Sequence, residues 1–442
     1  MSTGISFSGL ATGVDTNSIV ERLMLLERQP IRNVERDKAT VQSRQSVVLE
    51  INNLLKTLRD KARVLLDAST FQLKTASSTD GVVATATADS TAAAGSYNVV
   101  VTALSKAHTL ASAASPALSD DVLHVSVGST TVDVAVSGSG TLQDVADAIN
   151  GASGTPVSAS VVNDKLVLIS RTTGAAGGIT VTSDGGLAGA LGFATTQAAQ
   201  DAAATVNGLA VTSSGNTISG AIAGVTLTLA KEGSTVVNVS LDGKTIEAKV
   251  KEFVDAYNAV VDNVRAATKY DAATKTKGTL QGDQTLTAFL GQLRGLAGSA
   301  VGSLSGQSYD SLARIGITTS TDRSGKLVID STALQAALAA DADAVREVFA
   351  TNDGDGAADE DDGVAFRIED LADSFSTDVL ASRLQGFTDQ LSRMDKKIAD
   401  LEVVMDLRER RLRAQFAAME KAVSTFRAQG AELLTRLGLP SE

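Results

Sequence analysis

"RLQGFTDQLSRMDKKIADLEVVMDLRERRLRAQFAAMEKAVSTFRAQGAELLTRL", Arg383 to Leu437, is the stretch on which the fold turns. Leu384, Phe387, Leu391, Met394, Ile398, Leu401 and Met405 alternate steps of three and four, the spacing of one helix face. Arg408 then holds a seam position. Leu412 and Phe416 follow at steps of four and four, a stutter that locally unwinds a coiled coil. Met419, Val423, Phe426, Gly430, Leu433 and Leu437 resume the alternation. Unbroken, this helix would run ~80 Å at about 1.5 Å per residue. One small globule cannot bury it, so it must pack on another helix, another subunit, or both.

A counterpart lies near the other end. Val34, Val41, Val48, Leu55 and Ala62 recur every seven residues, with Ile51, Leu58 and Leu65 between them. Asp37 and Arg44 weaken that seam toward its start, and Pro30 predicts a break or kink there. Before it stands "ISFSGLATGVDTNSIVERLMLLE", Ile5 to Glu27. It fails as a secretory leader, because its first basic side chain is Arg22 and Asp15 precedes it. This disfavours leader-dependent export and leaves other routes open. Its helical part is amphipathic: Ile19, Leu23 and Leu26 share a face, while Glu21, Arg22, Glu27 and Arg28 turn outward. Asp15 or Thr16 is placed to cap its start. A further stripe joins Ile246, Val250, Phe253, Tyr257, Val260 and Val264.

Between these helical ends the composition changes. Ser77 to Lys244 is rich in Ser, Thr, Ala, Gly and Val and holds 12 Asp/Glu and 5 Lys/Arg. "YNVVVTAL" alternates as a strand does. "VLHVSVGSTTVDVAV" reads as a hairpin turning at Gly128, and "VSASVVNDKLVLIS" as a second turning at Asn163-Asp164. Thr141 caps a short helix that turns Leu142, Val145 and Ile149 inward. "TVNGLAV" and "GVTLTLAKEGSTVVNVSL" add strands. The expected fold is α+β: a discontinuous, coiled-coil-like helical stem from both termini, with two β-rich modules inserted in it and projecting from it. The expected divisions are terminal helical segments 1–40 and 408–442, flexible until assembled, and a stem domain of 41–76 and 246–407. A first β-rich domain takes 77–104 and 197–245, and a second, 105–196, is inserted in the first.

The 442 residues are 43% hydrophobic but only 3% aromatic, without Trp, so the cores are Ala, Val, Leu and Ile. The formal charge of -12 argues against a nucleic-acid partner. No apolar run reaches the ~18–20 residues of a membrane span. With no cysteine, disulfides and thiolate metal sites are excluded. His108 and His124 are the only histidines, and His124 sits in an alternating strand, where a structural role is expected. "DGKT", Asp242 to Thr245, ends like a P-loop, but Asn238 stands where the first glycine is needed. "TNDGDGAADEDDG", Thr351 to Gly363, fails as a calcium loop from Asp353, having Ala357, Ala358 and Val364 at the positions that matter. It reads as a mobile acidic loop with at most weak calcium affinity. No catalytic residue, cofactor or metal ligand is expected, and the chain does not read as an enzyme.

Several segments, in order, resemble a known family. "GLATGVDTNSIVERLMLLERQPI" is similar to a Gly-Leu-x-x-Gly-Val/Leu-Asp turn leading into a helix. "GTLQDVADAIN" with "VSASVVNDKLVLIS" resembles a small repeat of flagellin and hook-associated proteins. "VNGLAVTSSGNTISGAIAGVTLTL", "VKEFVDAYNAVVDNV", "LARIGITTSTDRSGKLVIDSTALQAALAADADAVREVF" and "LRAQFAAMEKAVSTFRAQGAEL" complete the set. Together they resemble the bacterial flagellar filament-capping family, flagellar hook-associated protein 2. The acidic loop departs from that pattern.

The resemblance implies a homo-oligomeric ring at the filament tip, outside the cell, which guides insertion of exported flagellin and prevents its loss. It implies no catalytic residues. It implies export through the flagellar type III secretion apparatus, an export chaperone, and contact with flagellin and the hook-filament junction protein. Host mucin or glycan is a further candidate partner; nucleic acid and membrane insertion are not expected. The alternatives are a surface adhesin acting through the β modules, or another flagellar axial protein. The residues expected at assembly contacts are Leu10, Ile19, Leu23, Leu26, Leu412, Phe416, Met419, Val423 and Phe426, each of which would otherwise be ordinary intrachain core.

Overall fold

A computed structural model of the chain describes residues 15–271 and 275–436, and these form two compact units. The first takes in the described residues of Met1–Leu66, Val250–Asp330 and Glu347–Glu442; the second comprises Asp67–Lys249 and Ser331–Arg346. The architecture is α+β.

The first unit is helical. Its main elements are α1 (Thr16–Glu27), α2 (Gln29–Leu66), α3 (Gly243–Thr268, within this unit from Val250), α4 (Gln284–Gly298), α5 (Val364–Ser374) and α6 (Ala381–Arg436). Asp15 caps α1, its carboxylate accepting the Ser18 N–H at 3.1 Å. The chain breaks at Arg28, and Pro30 falls in the first turn of α2, where its missing N–H costs nothing. Every expected seam residue of α2 is buried: Val34, Val41, Val48, Ile51, Leu55, Leu58, Ala62 and Leu65. Such burial stabilises by about 1.5–3 kcal/mol for each large side chain. Asp37 and Arg44 are exposed.

Neighbouring helices close around this seam. Arg59 and Arg63 reach Asp373 and Glu369 of α5 at 2.8 and 2.6 Å. Lys61 meets Glu252 of α3 at 2.7 Å, and Asn263 donates to Glu50 at 2.7 Å. The α3 stripe from Val250 through Phe253, Tyr257 and Val260 to Val264 is fully buried. The Asn258 amide bonds both backbone groups of Leu327, fixing the Ile317–Thr319 and Leu327–Ile329 hairpin against the helix. Tyr257 donates to the Gly325 carbonyl, and burial pushes its phenol up to about 12.

Between α5 and α6 the chain makes a π-helical turn, Phe375–Leu380. Its wider winding lets Ser376 turn inward to donate to Asn52 Oδ1 at 2.6 Å, both residues being buried. Phe375 stacks on Phe289 with ring centroids 4.2 Å apart.

The second unit is β-rich and has two separate hydrophobic cores. One lies between a sheet of order β1-β15-β3-β11-β12 and a sheet of order β13-β14-β2. The strands are Lys74–Ser78, Gly233–Leu241, Gly95–Ala103, Ala202–Val206 and Leu209–Ser213 in the first, and Thr217–Ile222, Val225–Leu229 and Ala84–Ala88 in the second. The other core is enclosed by β10-β4-β8-β7 (Ala194–Gln197, Ala107–Ala111, Lys165–Thr173, Val157–Val162), by β6-β5-β9 (Thr130–Val136, Asp121–Val127, Ile179–Ser183) and by the Leu142–Gly151 helix. All their pairings are antiparallel.

Local chemistry sets the turns. Asn163 and Asp164, at φ 50° and 58°, join β7 to β8 through the two left-handed positions a type I′ hairpin needs. Thr141 and Asp144 form a reciprocal capping box on the short helix. Where the chain passes between the two cores, Lys106 and Gln200 exchange backbone hydrogen bonds of 2.8 and 3.2 Å. Beside them Gly174 has φ 87°, and a Cβ there would lie 2.6 Å from Asp201 and Ser214, so only glycine fits.

Candidate assembly surface

Two stretches that resembled chemical motifs in the sequence serve local structure instead. The Asp242 carboxylate bonds the Thr245 N–H and hydroxyl at 3.0 and 2.7 Å, so "DGKT" starts a helix rather than cradling a phosphate. In the acidic loop, Asp353, Asp359 and Asp361 bring carboxylate oxygens within 4.8 Å of one another, all exposed. The segment is an acidic loop, exposed over most of its length and anchored at its end. Asp362 is fully buried and accepts the N–H groups of Asp353 and Asp359, while Gly302 donates to the Glu360 carbonyl at 2.7 Å. Arg367 lies beneath, 3% exposed. Burial lowers its pKa, against the pull of Asp362, Asp359 and Glu360. A buried guanidinium so close to the carboxylates opposes a bound cation.

The stem offers surface instead. α1 lies antiparallel on α6: Thr16 Oγ1 donates to Glu420 at 3.4 Å, Arg413 to Asn17 at 3.3 Å, and Arg408 pairs with Glu27 at 2.9 Å. Val20 and Met24 of α1, Ile31 of α2 and Met405 of α6 are buried in one cluster, and Ile398, Leu401, Leu412 and Phe416 pack against it. A cleft of about 400 Å³ opens beside it, with Leu25, Ile31 and Met405 among its walls.

The nine expected contact residues divide. Leu10 lies outside the described residues. Leu412 and Phe416 belong to the intrachain cluster, so they serve folding as well as any contact. Ile19 and Val423 are half-buried. Leu23, Leu26, Met419 and Phe426 are exposed, at 41, 73, 42 and 72%. α1 therefore buries its Val20 and Met24 side on α6 and leaves its Leu23 and Leu26 side open. Sequence reasoning missed Val403, Val404 and Leu407, exposed at 62, 49 and 57%. They form a second apolar stripe on α6, off the seam. Their signal was present as apolar residues at i, i+1 and i+4 that the seam does not use.

Comparison with known proteins gives a consistent result. Residues 199–428 match the family description "Flagellar hook-associated protein 2 C-terminus", residues 12–108 its N-terminus, and residues 122–185 the "Flagellin hook IN motif". The chain is 27% identical over 467 residues to the flagellar hook-associated protein 2 of Escherichia coli (strain K12), covering 97% of each. It is 28% identical over 458 residues to the B-type flagellar hook-associated protein 2 of Pseudomonas aeruginosa, covering 92% of this chain and 93% of that one. Its fold is similar to the crystal structure of the flagellar cap protein FliD D1-D2-D3 domains from Escherichia coli, with a TM-score of 0.57 and 30% identity. That match covers 77% of this chain and 99% of the other.

Proposed function

Since this chain belongs to the flagellar hook-associated protein 2 family, we propose that it caps the distal tip of the bacterial flagellar filament, promoting the insertion and folding of exported flagellin and preventing its loss. The observation that carries this reading is the match along nearly the whole chain to cap-family relatives, joined to a helical stem with apolar residues left open on α1 and α6. A cap works by holding and releasing neighbours rather than by bond chemistry, and apolar stripes on long helices suit such packing. Among the described residues, no helix is long and apolar enough to cross a membrane.

The finer parts of the reading follow from it. The chain forms a homo-oligomeric ring, and Ile19, Leu23, Leu26, Met419, Val423 and Phe426 contact a neighbouring copy or the filament. The terminal segments 1–40 and 408–442 supply the assembly contacts; the expectation that they are flexible until assembled falls partly on 1–14 and 437–442, which lie outside the described residues. The stem domain is 41–76 with 246–407, and the β-rich domains are 77–104 with 197–245, and 105–196; the two separate cores of the β-rich unit support the last division. Export runs through the flagellar type III apparatus with a chaperone, and the hook-filament junction protein is a further partner. Glycan binding is not proposed: Tyr97 and Phe193 pack against the two cores and offer no stacking platform.

Deletion of the gene tests the function. Cells should release flagellin monomers into the medium and carry few or short filaments, restored by the gene in trans. Filaments of normal number and length in the deletion strain would refute it.

A further inference from the structure

The outer face of the β6-β5-β9 sheet carries an arrangement that its neighbours do not. His124, in the central strand β5, stands opposite Asp133 on β6 and Thr182 on β9. Its Nδ1 is 2.7 Å from Asp133 Oδ1, and its Nε2 is 3.0 Å from Asp184 Oδ1, immediately after β9. A neutral imidazole has one N–H and one lone pair, whereas a carboxylate only accepts. Both contacts can be hydrogen bonds together only when the ring carries both protons. His108 is used differently, its Nδ1 accepting the Ile179 N–H at 2.8 Å.

We propose that His124 is an acid-closed clasp, which ties β6 and the end of β9 to β5 while the imidazole is doubly protonated and releases one side when a proton leaves. Losing either ring proton would turn one hydrogen bond into a lone pair facing a carboxylate. The charged groups around it are acidic. Asp133 comes from β6 and Asp184 from the turn after β9. On β5 itself the Asp121 carboxylate is committed to the N–H groups of Val122, Gly185 and Leu187 at 2.8, 2.7 and 2.9 Å. Asp120 is committed to the Gly138 N–H. The neighbouring hydroxyls of Ser126 and Thr131 bond each other at 2.9 Å.

The Asp133 hydrogen bond, and then that of Asp184, hold the imidazole above its ordinary value. A raised value means that the stabilisation is complete below the unfolded-state value and is lost as pH rises through the folded one. Because Asp121 separately pins Gly185 and Leu187, the loosening is confined to the edge strand β6 and to Asp184.

The test uses the full chain. Histidine C2–H exchange read by mass spectrometry gives the His124 midpoint, with His108 as an internal reference. Amide exchange over 121–136 and 179–187 is followed from pH 5.5 to 9 after correction for intrinsic rates. The clasp requires a His124 midpoint above the ordinary histidine value, lowered in Asp133→Asn with Asp184→Asn. It also requires amide protection that falls through the midpoint in the wild type but is flat in His124→Gln. The near-isosteric asparagine variants keep the test open should His124→Gln misfold. An ordinary or lower midpoint, a midpoint unmoved by the asparagines, or the same protection profile without the histidine would overturn the proposal.

Discussion

Arg408, at a seam position of α6, pairs at 2.9 Å with Glu27, the last residue of α1. A charge at a seam position ordinarily marks a packing defect. Here α1 has just ended at Arg28, and the arginine meets the carboxylate of its last residue. The stutter at Arg408, Leu412 and Phe416 thus coincides with the change of partner from α2 to α1. The pair is half in solvent and contributes little, about 0–1 kcal/mol for exposed ion pairs. Arg408→Ala should therefore barely move the helical unfolding transition. Met405→Ala, one turn away and buried, should cost about 2 kcal/mol or more. Urea unfolding followed by helical circular dichroism compares them, and equal losses would contradict this account.

The buried Asn52–Ser376 hydrogen bond should behave as a coupled pair. Asn52→Ala leaves the Ser376 hydroxyl without this acceptor and should cost about 1–3 kcal/mol. Adding Ser376→Ala should cost little more, giving a coupling of about 1 kcal/mol in a double-mutant cycle. Simple additivity would show that the two side chains are not energetically coupled.

Leu26 and Phe426 separate assembly from folding, because both are largely exposed. Leu26→Asp with Phe426→Asp should shift stability by no more than about 0.5 kcal/mol yet fail to restore filaments in the deletion strain. Leu412→Asp with Phe416→Asp should instead weaken the stem itself, since both residues pack on the Val20–Met24–Met405 cluster. Normal filaments with the first pair would remove Leu26 and Phe426 from the contact surface.

Asp121 should make part of the β-rich unit's stability fall away in acid. The backbone N–H groups of Leu187, Gly185 and Val122 lower its pKa to about 2 from its ordinary 3.8. A depressed carboxylate stabilises above the unfolded value and stops doing so as pH falls through the folded one. The stability gap between wild type and Asp121→Asn should be full above about pH 4 and should close toward pH 2. Thermal melts across that range measure it, and a gap independent of pH would rule out the charge as its source.

Calcium should bind the Asp353, Asp359 and Asp361 group no more tightly than about 10⁻⁴ M, since three exposed carboxylates fall short of the six to eight ligands the ion takes. Arg367 beneath them weakens it further. Calorimetric titration that found a submicromolar site would reverse this reading.

Much of the fold was legible in particular residues. The seven-residue recurrence from Val34 to Ala62, the Asn163-Asp164 turn, the Thr141 cap and the break near Pro30 each follow from contacts within a few residues of chain. The contact surface was less so. α1 has apolar residues on several sides, and only its docking on α6 selects Val20 and Met24 for burial and leaves Leu23 and Leu26 open. Likewise, no feature of "TNDGDGAADEDDG" distinguishes Asp362 from its neighbours; its burial comes from the chain that the loop covers.

By itself, the sequence determined the helices, strands and turns, the absence of any complete catalytic or phosphate-binding motif, and the periodicity that demands a long paired stem. These rest on helix pitch, strand alternation and backbone sterics, which act locally. Only the tertiary structure decided which apolar face each helix spends on its own chain and which it leaves open, how Arg408 is satisfied, and that His124 meets carboxylates on both sides. Those depend on partners hundreds of residues away for the stem and on strand register for the histidine, and burial free energy belongs to the pair in contact rather than to either residue alone.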